Sequence, residues 1–346
     1  TYVLFELSYD NFHEKGDRIF RLTSEASSNG EKYEFALTPT AAYPTFTREF
    51  PEVETGVRIY STASFSPTIV RYGAQLFEEP GFLYADSTFF DLFSFKVLRG
   101  NPNTLLKDIN TVVLTESMVK KYFGNEDPLD KTIIINNGVE MKVTGVVADP
   151  PKNSQIRFDF ICPFHTLEGW REEIWGSANF YTYLQLNNPN AAPKLEQKIR
   201  TFMDKALGED SPANSYLTYV LQPMRDVHLR ARVEGGLQPG SDIRYVYIFA
   251  AIALLILAIA CINYMNLATA RAAERAREVG IRKVIGAVHN QLFQQFLGES
   301  TIVTFLAMLV GLALAYLSLP LFNQMTDREM SFVFFENPYA LGGLLG

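Results

Sequence analysis

The sequence predicts an α+β extracytoplasmic domain followed by transmembrane α-helices. Three observations lead there: a change of composition near residue 242, two long uncharged runs beyond it, and irregularly alternating strand and helix signals before it. The chain has 346 residues, 47% hydrophobic and 20% charged, and is too apolar to be disordered. Residues 243–346 hold seven Lys/Arg and six Asp/Glu, which leaves 24 and 32 in the first 242 residues, a net charge of −8. No basic stripe remains there, so nucleic acid is not an expected partner. Two cysteines, Cys162 and Cys261, do not make a disulfide framework.

The opening TYVLFEL is apolar and gives way at once to SYDNFHEKGDR, so residues 1–7 are expected to be the end of a truncated transmembrane helix. Residues 8–242 form the extracytoplasmic domain. DRIFRLTSEA and EKYEFALT, joined by Ser27-Ser28-Asn29-Gly30, predict a hairpin, and TIIINNGVEMKVTGVV predicts a second that turns at Asn137-Gly138. Thr115–Phe123 predicts a helix capped by Thr115 and ended by Gly124. In PKLEQKIRTFMDKAL, Leu195, Ile199, Phe202, Met203 and Ala206 recur at helical spacing behind Pro193. The irregular alternation suits two subdomains rather than a doubly wound sheet.

Tyr245–Ala270 carries no charge and reaches about 39 Å as a helix, enough for a bilayer core of roughly 30 Å. A second uncharged run extends from Ser300 to Thr326. The spans are placed at about residues 245–267 and 292–319, with a loop at 270–290 and the start of a further span at 338–346. Arg271, Arg275, Arg277, Arg282 and Lys283 crowd that loop, whereas only Arg328 follows the second run. The positive-inside rule puts the loop in the cytoplasm and the acidic domain on the other side.

Catalytic patterns are sparse. His13-Glu14 opens like a zincin motif, but Asp17 stands where the second histidine belongs, and a surface helix cap is the expected role for His13. Gly235 and Gly240 have the outer spacing of a phosphate loop, yet Ser241-Asp242 follow where Lys and Ser/Thr belong. His13, His165, His228 and His289 show no ligand spacing. No catalytic residue, cofactor or metal is predicted.

ARAAERAREVGIRKVIGA, residues 270–287, resembles the cytoplasmic loop of FtsX-like and MacB-type ABC transporter permeases. FELSYDNFHEKGDRIFRL, VVLTESMVKKYFGNEDPLDKTIIINNGVEMKVTGVVADPPKNSQIRFDF and LQPMRDVHL resemble the same family in order, most nearly the stand-alone permeases of Bacteroidetes-type bacteria. The resemblance implies a MacB-like periplasmic core domain at 8–242 and an FtsX-like permease domain at 243–346. It implies a multi-pass protein of the bacterial inner membrane that hydrolyses nothing itself. Its implied partners are a cytoplasmic ABC ATPase subunit, membrane lipid, a second copy or duplicated permease half, and a periplasmic or outer-membrane protein.

The loop also has its own physics. As a helix it pairs Glu278 with Arg282 at i+4 and with Arg275 at i−3, while Val279, Ile281, Val284 and Ile285 add apolar contacts. Gly280 and Gly286 permit a bend or close backbone approach. The candidate ATPase-coupling residues are Arg271, Glu274, Arg275, Arg277, Glu278, Val279, Gly280, Ile281, Arg282, Lys283, Val284 and Gly286. A lipid-held juxtamembrane helix is the alternative from charge pattern alone. Among intramembrane polar residues, Asn263 and Asn266 are expected to bond across helices, and Glu299, placed one or two turns into the second helix, to reach the interface, with a coupling site as the alternative. The sequence therefore supports an ATPase-coupled permease or mechanotransmission subunit, with a membrane-anchored sensor or binding protein as the alternative.

Overall fold

The computed structural model describes residues 2–28, 31–63, 67–136, 138–167, 169, 172–207, 216–231, 233, 235–284 and 289–326. Two compact units result: Glu6–Ile243, and Thr1–Phe5 together with Arg244–Gly346.

The first unit is built on strands. Its first half contains β1 (Ile19–Ser28), β2 (Glu31–Phe35), β3 (Thr38–Pro39), β4 (Val53–Ser61), β5 (Thr68–Tyr72), β6 (Gln75–Glu79), β7 (Phe82–Ala85) and β8 (Val97–Arg99). Then come β9 (Thr111–Thr115), β10 (Thr132–Ile135), β11 (Val139–Val147), β12 (Phe160–Pro163), β13 (Ala178–Leu186) and β14 (Tyr216–Pro223). The main path runs β14-β1-β13-β4-β7-β12-β9-β11-β10-β5-β6, with β2 beside β1, β3 beside β13 and β8 beside β11. Neighbours are antiparallel except β11 with β9 and β12 with β7. β9 and β12 are buried throughout, which explains their unbroken runs TVVLT and FICP.

Helix α1 is Tyr2–Leu7, and α2 (Ala42–Glu49), α3 (Phe89–Leu92), α4 (Glu116–Phe123) and α5 (Ala192–Leu207) complete this part of the chain. The two expected subdomains are legible as separate cores at the ends of the sheet. One packs Phe46 of α2 and Leu195, Ile199 and Met203 of α5 against Leu184, Tyr219 and Leu221. The other packs Tyr122 and Phe123 of α4 against Ile133, Met141 and Phe160. Between them Phe89, Phe93, Phe95 and Phe158 form an aromatic middle, with Phe89 and Phe95 stacked at 5.5 Å.

Both hairpins form. Ser28 pairs with Glu31, so β1 runs further into the expected turn than its sequence suggested; residues 29 and 30 lie outside those described. In the second, Ile135 pairs with Val139, so the connection is three residues long rather than two. Asn136 at φ 45° and Gly138 at φ 103° take the left-handed positions, while Asn137 lies outside the described residues. Helix α4 matches, but Thr115 makes no side-chain capping bond. Asp149, 32 residues along, accepts from Ser117 N at 3.1 Å instead.

His13 is not a surface cap. It is 1% exposed, its Nδ1 accepts from Ser94 N at 3.0 Å, and its ring contacts Phe12, Phe93 and Phe95. Burial among these rings pulls its pKa down to about 3. Nearby in sequence, Asp10 accepts from Ser154 Oγ (3.1 Å) and Gln155 N (3.0 Å). Burial outweighs those bonds and pushes its pKa up to about 6. Glu6 and His228, 222 residues apart, meet at 2.7 Å, and Tyr9 stacks on the imidazole at 3.3 Å. With Gln155 Nε2 donating to Nδ1 at 2.9 Å, His228 carries its proton on Nε2 toward Glu6.

A bidentate pair joins β4 to the end of β7. Arg58 Nε and Nη2 donate to Asp86 Oδ2 and Oδ1 at 2.9 and 2.7 Å, and Arg58 N donates to Oδ2 at 2.8 Å. Nη1 reaches Thr40 O at 3.1 Å, and the guanidinium lies 3.9 Å from the Phe164 ring centre.

Candidate functional site

The second unit contains α6 (Ile243–Val284, 42 residues) and α7 (His289–Thr326, 38 residues). Within them, Ile243–Ala272 and Leu297–Gln324 have mean hydropathies of 2.8 and 2.4 and are 30 and 28 residues long. Each is long and apolar enough to cross a membrane. Their large side chains are bare in the isolated chain, with Leu254 67%, Leu314 62% and Leu317 73% exposed, an apolar surface of the kind that a bilayer can cover. Thr269, Thr301 and Thr304 donate to the carbonyls of Met265, Leu297 and Ser300 at 2.8–2.9 Å. Their hydroxyls are thereby satisfied within their own helix. Tyr2 of α1 meets Phe249 and Phe322 edge-on at 5.0 and 5.9 Å.

The expected cytoplasmic loop is largely helix. α6 does not stop where its apolar run stops at Ala270; it continues through the charged segment to Val284. The reason is local: ARAAERARE is rich in Ala, Arg and Glu, all strong helix formers. One unbroken helix therefore carries Arg271, Glu274, Arg275, Arg277, Glu278, Val279, Gly280, Ile281, Arg282, Lys283 and Val284. Ile281 is 56% exposed. A Cβ at Gly280 would meet nothing within 4 Å, so that glycine is not held by crowding in the isolated chain. Gly286 lies outside the described residues.

Arg271 and Glu299 come to the same place. They line a cleft of about 610 Å³ between α6 and α7 with Tyr264, Leu267, Ser300 and Thr304. Glu299 sits about three turns into α7 rather than one or two, because that helix starts at His289. Asn263 and Asn266 are exposed on α6 and form no bond to α7 among the described residues. That Arg271 and Glu299 line one cleft was missed at the sequence level. Its available signal was position, one residue closing the first uncharged run and the other opening the second.

Bare apolar helices joined to a large mixed α/β domain fit a membrane protein with a domain outside the bilayer. Residues 2–202 match the MacB-like periplasmic core domain, and residues 250–346 match the FtsX-like permease C-terminal region. The chain belongs to this MacB/FtsX-like family of ABC transporter permeases.

Among relatives, the macrolide export ATP-binding/permease protein MacB of Pasteurella multocida is 26% identical over 252 residues, 71% of this chain and 36% of that protein. The ABC transporter permease YknZ of Bacillus subtilis is 25% identical over 222 residues, 62% of this chain and 50% of that protein. These alignments take in half or less of each relative. A crystallised domain described as that of a permease protein from Porphyromonas gingivalis shares the fold at a TM-score of 0.53 and 21% identity. That match covers 61% of this chain and 91% of that domain.

Proposed function

We propose that this chain is a permease or mechanotransmission subunit that couples ATP hydrolysis by a separate cytoplasmic ATPase to export, or to conformational work, in the periplasm. The observation that carries the reading is the continuity of α6 from its apolar run to Val284. A helix of that kind is a lever: a push on its charged end is transmitted along a rigid rod into the bilayer rather than absorbed by a loop. Arg275, Glu278 and Arg282 are the polar docking contacts, and Val279, Ile281 and Val284 the apolar ones. Gly280 and Gly286 let a partner backbone approach.

The charge bias around residues 271–290 supports a cytoplasmic position for this end and a periplasmic one for the acidic domain, in a multi-pass protein of the bacterial inner membrane. Export draws support from the description of the Pasteurella relative as a macrolide export ATP-binding/permease protein. Hydrolysis is assigned to the partner. A second copy or duplicated half completes the permease, and lipid and a periplasmic or outer-membrane protein are its other contacts.

The test is co-purification with the ATPase, and its ATP turnover, for wild type, Glu278→Arg and Ile281→Asp. Loss of a desolvated charge contact costs about 2 kcal/mol or more, so association weakens roughly 30-fold. Undiminished association and turnover in both variants would leave a lipid-facing helix and favour a membrane-anchored sensor.

A further inference from the structure

The acidic domain holds a cleft of about 440 Å³ where the loops entering β7 and β12 meet the start of α4. Those loops lie together because β7 and β12 are parallel, with Phe82 opposite Phe160. Asp159 N and Phe160 N both donate to Gly81 O, at 2.7 and 3.0 Å. This register lays the Asp159 carboxylate against Gly81, where any Cβ would collide with Oδ2.

Two acids line the cleft, and they differ. Asp149 is occupied, accepting from the backbone and hydroxyl of Ser117 at the start of α4. The Asp159 carboxylate accepts no hydrogen bond and joins no ion pair among the described residues, while the backbone carbonyl accepts from Thr115 N at 3.1 Å. The residue is half-buried, and burial, reinforced by the like charges of Glu79 and Asp149, raises its pKa. Arg157 lines the same cleft. Its charge reaches Asp159, yet the two do not close to within ion-pair distance. A carboxylate and a guanidinium thus share a cleft without satisfying each other, and the space between them is ligand-sized.

We propose that this cleft binds a zwitterionic ligand of the amino-acid or short-peptide class, with its ammonium on Asp159 and its carboxylate on Arg157. Lys152 also lines the cleft, which thus carries both signs of charge; a simple cation would leave Arg157 unmatched and an anion would leave Asp159 unmatched, whereas a zwitterion makes both charge-assisted contacts at once. The proposal goes beyond the coupling function and does not depend on it. A chain that docks no ATPase still presents this cleft.

The experiment is isothermal titration of the full chain in detergent with L-alanyl-L-alanine, its N-acetyl form and its C-terminal amide. The free dipeptide is expected to bind saturably, and blocking either end should weaken it at least tenfold. Asp159→Asn and Arg157→Gln should weaken the free dipeptide by a similar factor, with circular dichroism confirming the fold. If Asp159→Asn fails to fold, the two blocked ligands still decide the matter on wild type. Absence of saturable binding, loss with only one blocked end, or undiminished binding in both folded variants would overturn the assignment.

Discussion

The Arg58–Asp86 pair offers the sharpest test of how the outer domain is held together. Both residues are nearly out of water, 7% and 6% exposed. Replacing Asp86 with Ala deletes the three bonds its carboxylate accepts from Arg58 N, Nε and Nη2. What remains is a buried guanidinium with one protein acceptor, Thr40 O, and the face of Phe164. Breaking a buried pair from one side costs about 3–5 kcal/mol, because the surviving charge is uncompensated. In a unit of this size each kcal/mol moves Tm by about 2–4 °C, so Asp86→Ala should lower Tm by roughly 10 °C, read by far-ultraviolet circular dichroism. The double variant Arg58→Met, Asp86→Leu removes both charges and should recover most of the loss, since apolar replacements of a buried pair are commonly neutral or stabilising. If Asp86→Ala costs less than about 1 kcal/mol, or the double variant is worse than the single, the pair is not the buried, desolvated tie described above.

Other outcomes follow from the same reasoning. The folded pKa of Asp10, about 6, lies above its ordinary 3.8, so its contribution is fully present below pH 3.8 and is lost as pH rises through 6. Relative to Asp10→Asn, wild type should lose about 2 kcal/mol between pH 4 and 6.5, measured by urea midpoints. His13 has the opposite sign: its folded pKa of about 3 lies below 6.5, so wild type gains on His13→Gln over the rise from pH 3 to 6.5, and a flat difference would refute its burial as a neutral ring. Arg21 is 1% exposed, bonds Gln222 at 2.8 Å, and has a buried Nε with no acceptor. Arg21→Met should therefore be neutral or stabilising by about 1 kcal/mol or more, and a loss above 2 kcal/mol would show that its charge is matched. For orientation, an impermeant thiol probe should label a cysteine at residue 137 and not one at residue 273 in intact cells.

Much of the architecture was readable in sequence because it rests on local chemistry. The hairpin between β10 and β11 follows from β-branched runs around a turn dipeptide, and α5 from the spacing of Leu195, Ile199 and Met203 behind Pro193. Errors came where a distant residue took over a local role. Thr115 had the right type and place for a cap, but Asp149, from a distant loop, accepts the Ser117 N–H instead. His13 looked solvent-facing beside Glu14, Lys15 and Asp17, yet Phe93 and Phe95 enclose it from 80 residues away.

The division between what sequence alone determined and what tertiary structure decided therefore follows the range of the forces. Uncharged runs long enough for a bilayer, the basic segment between them, and the acid excess before them are sums over neighbours in the chain, and they set membrane character and the expected orientation without any coordinates. Continuity of α6 past Ala270 was half visible, since helix formers fill it, but only the fold joined span and charged segment into one rod. The Glu6–His228 contact, the Arg58–Asp86 tie and the unsatisfied Asp159 beside Arg157 were invisible. Each depends on strand register and burial, which bring residues together or hold them just apart, and a hydrogen bond decides at tenths of an ångström what composition averages away.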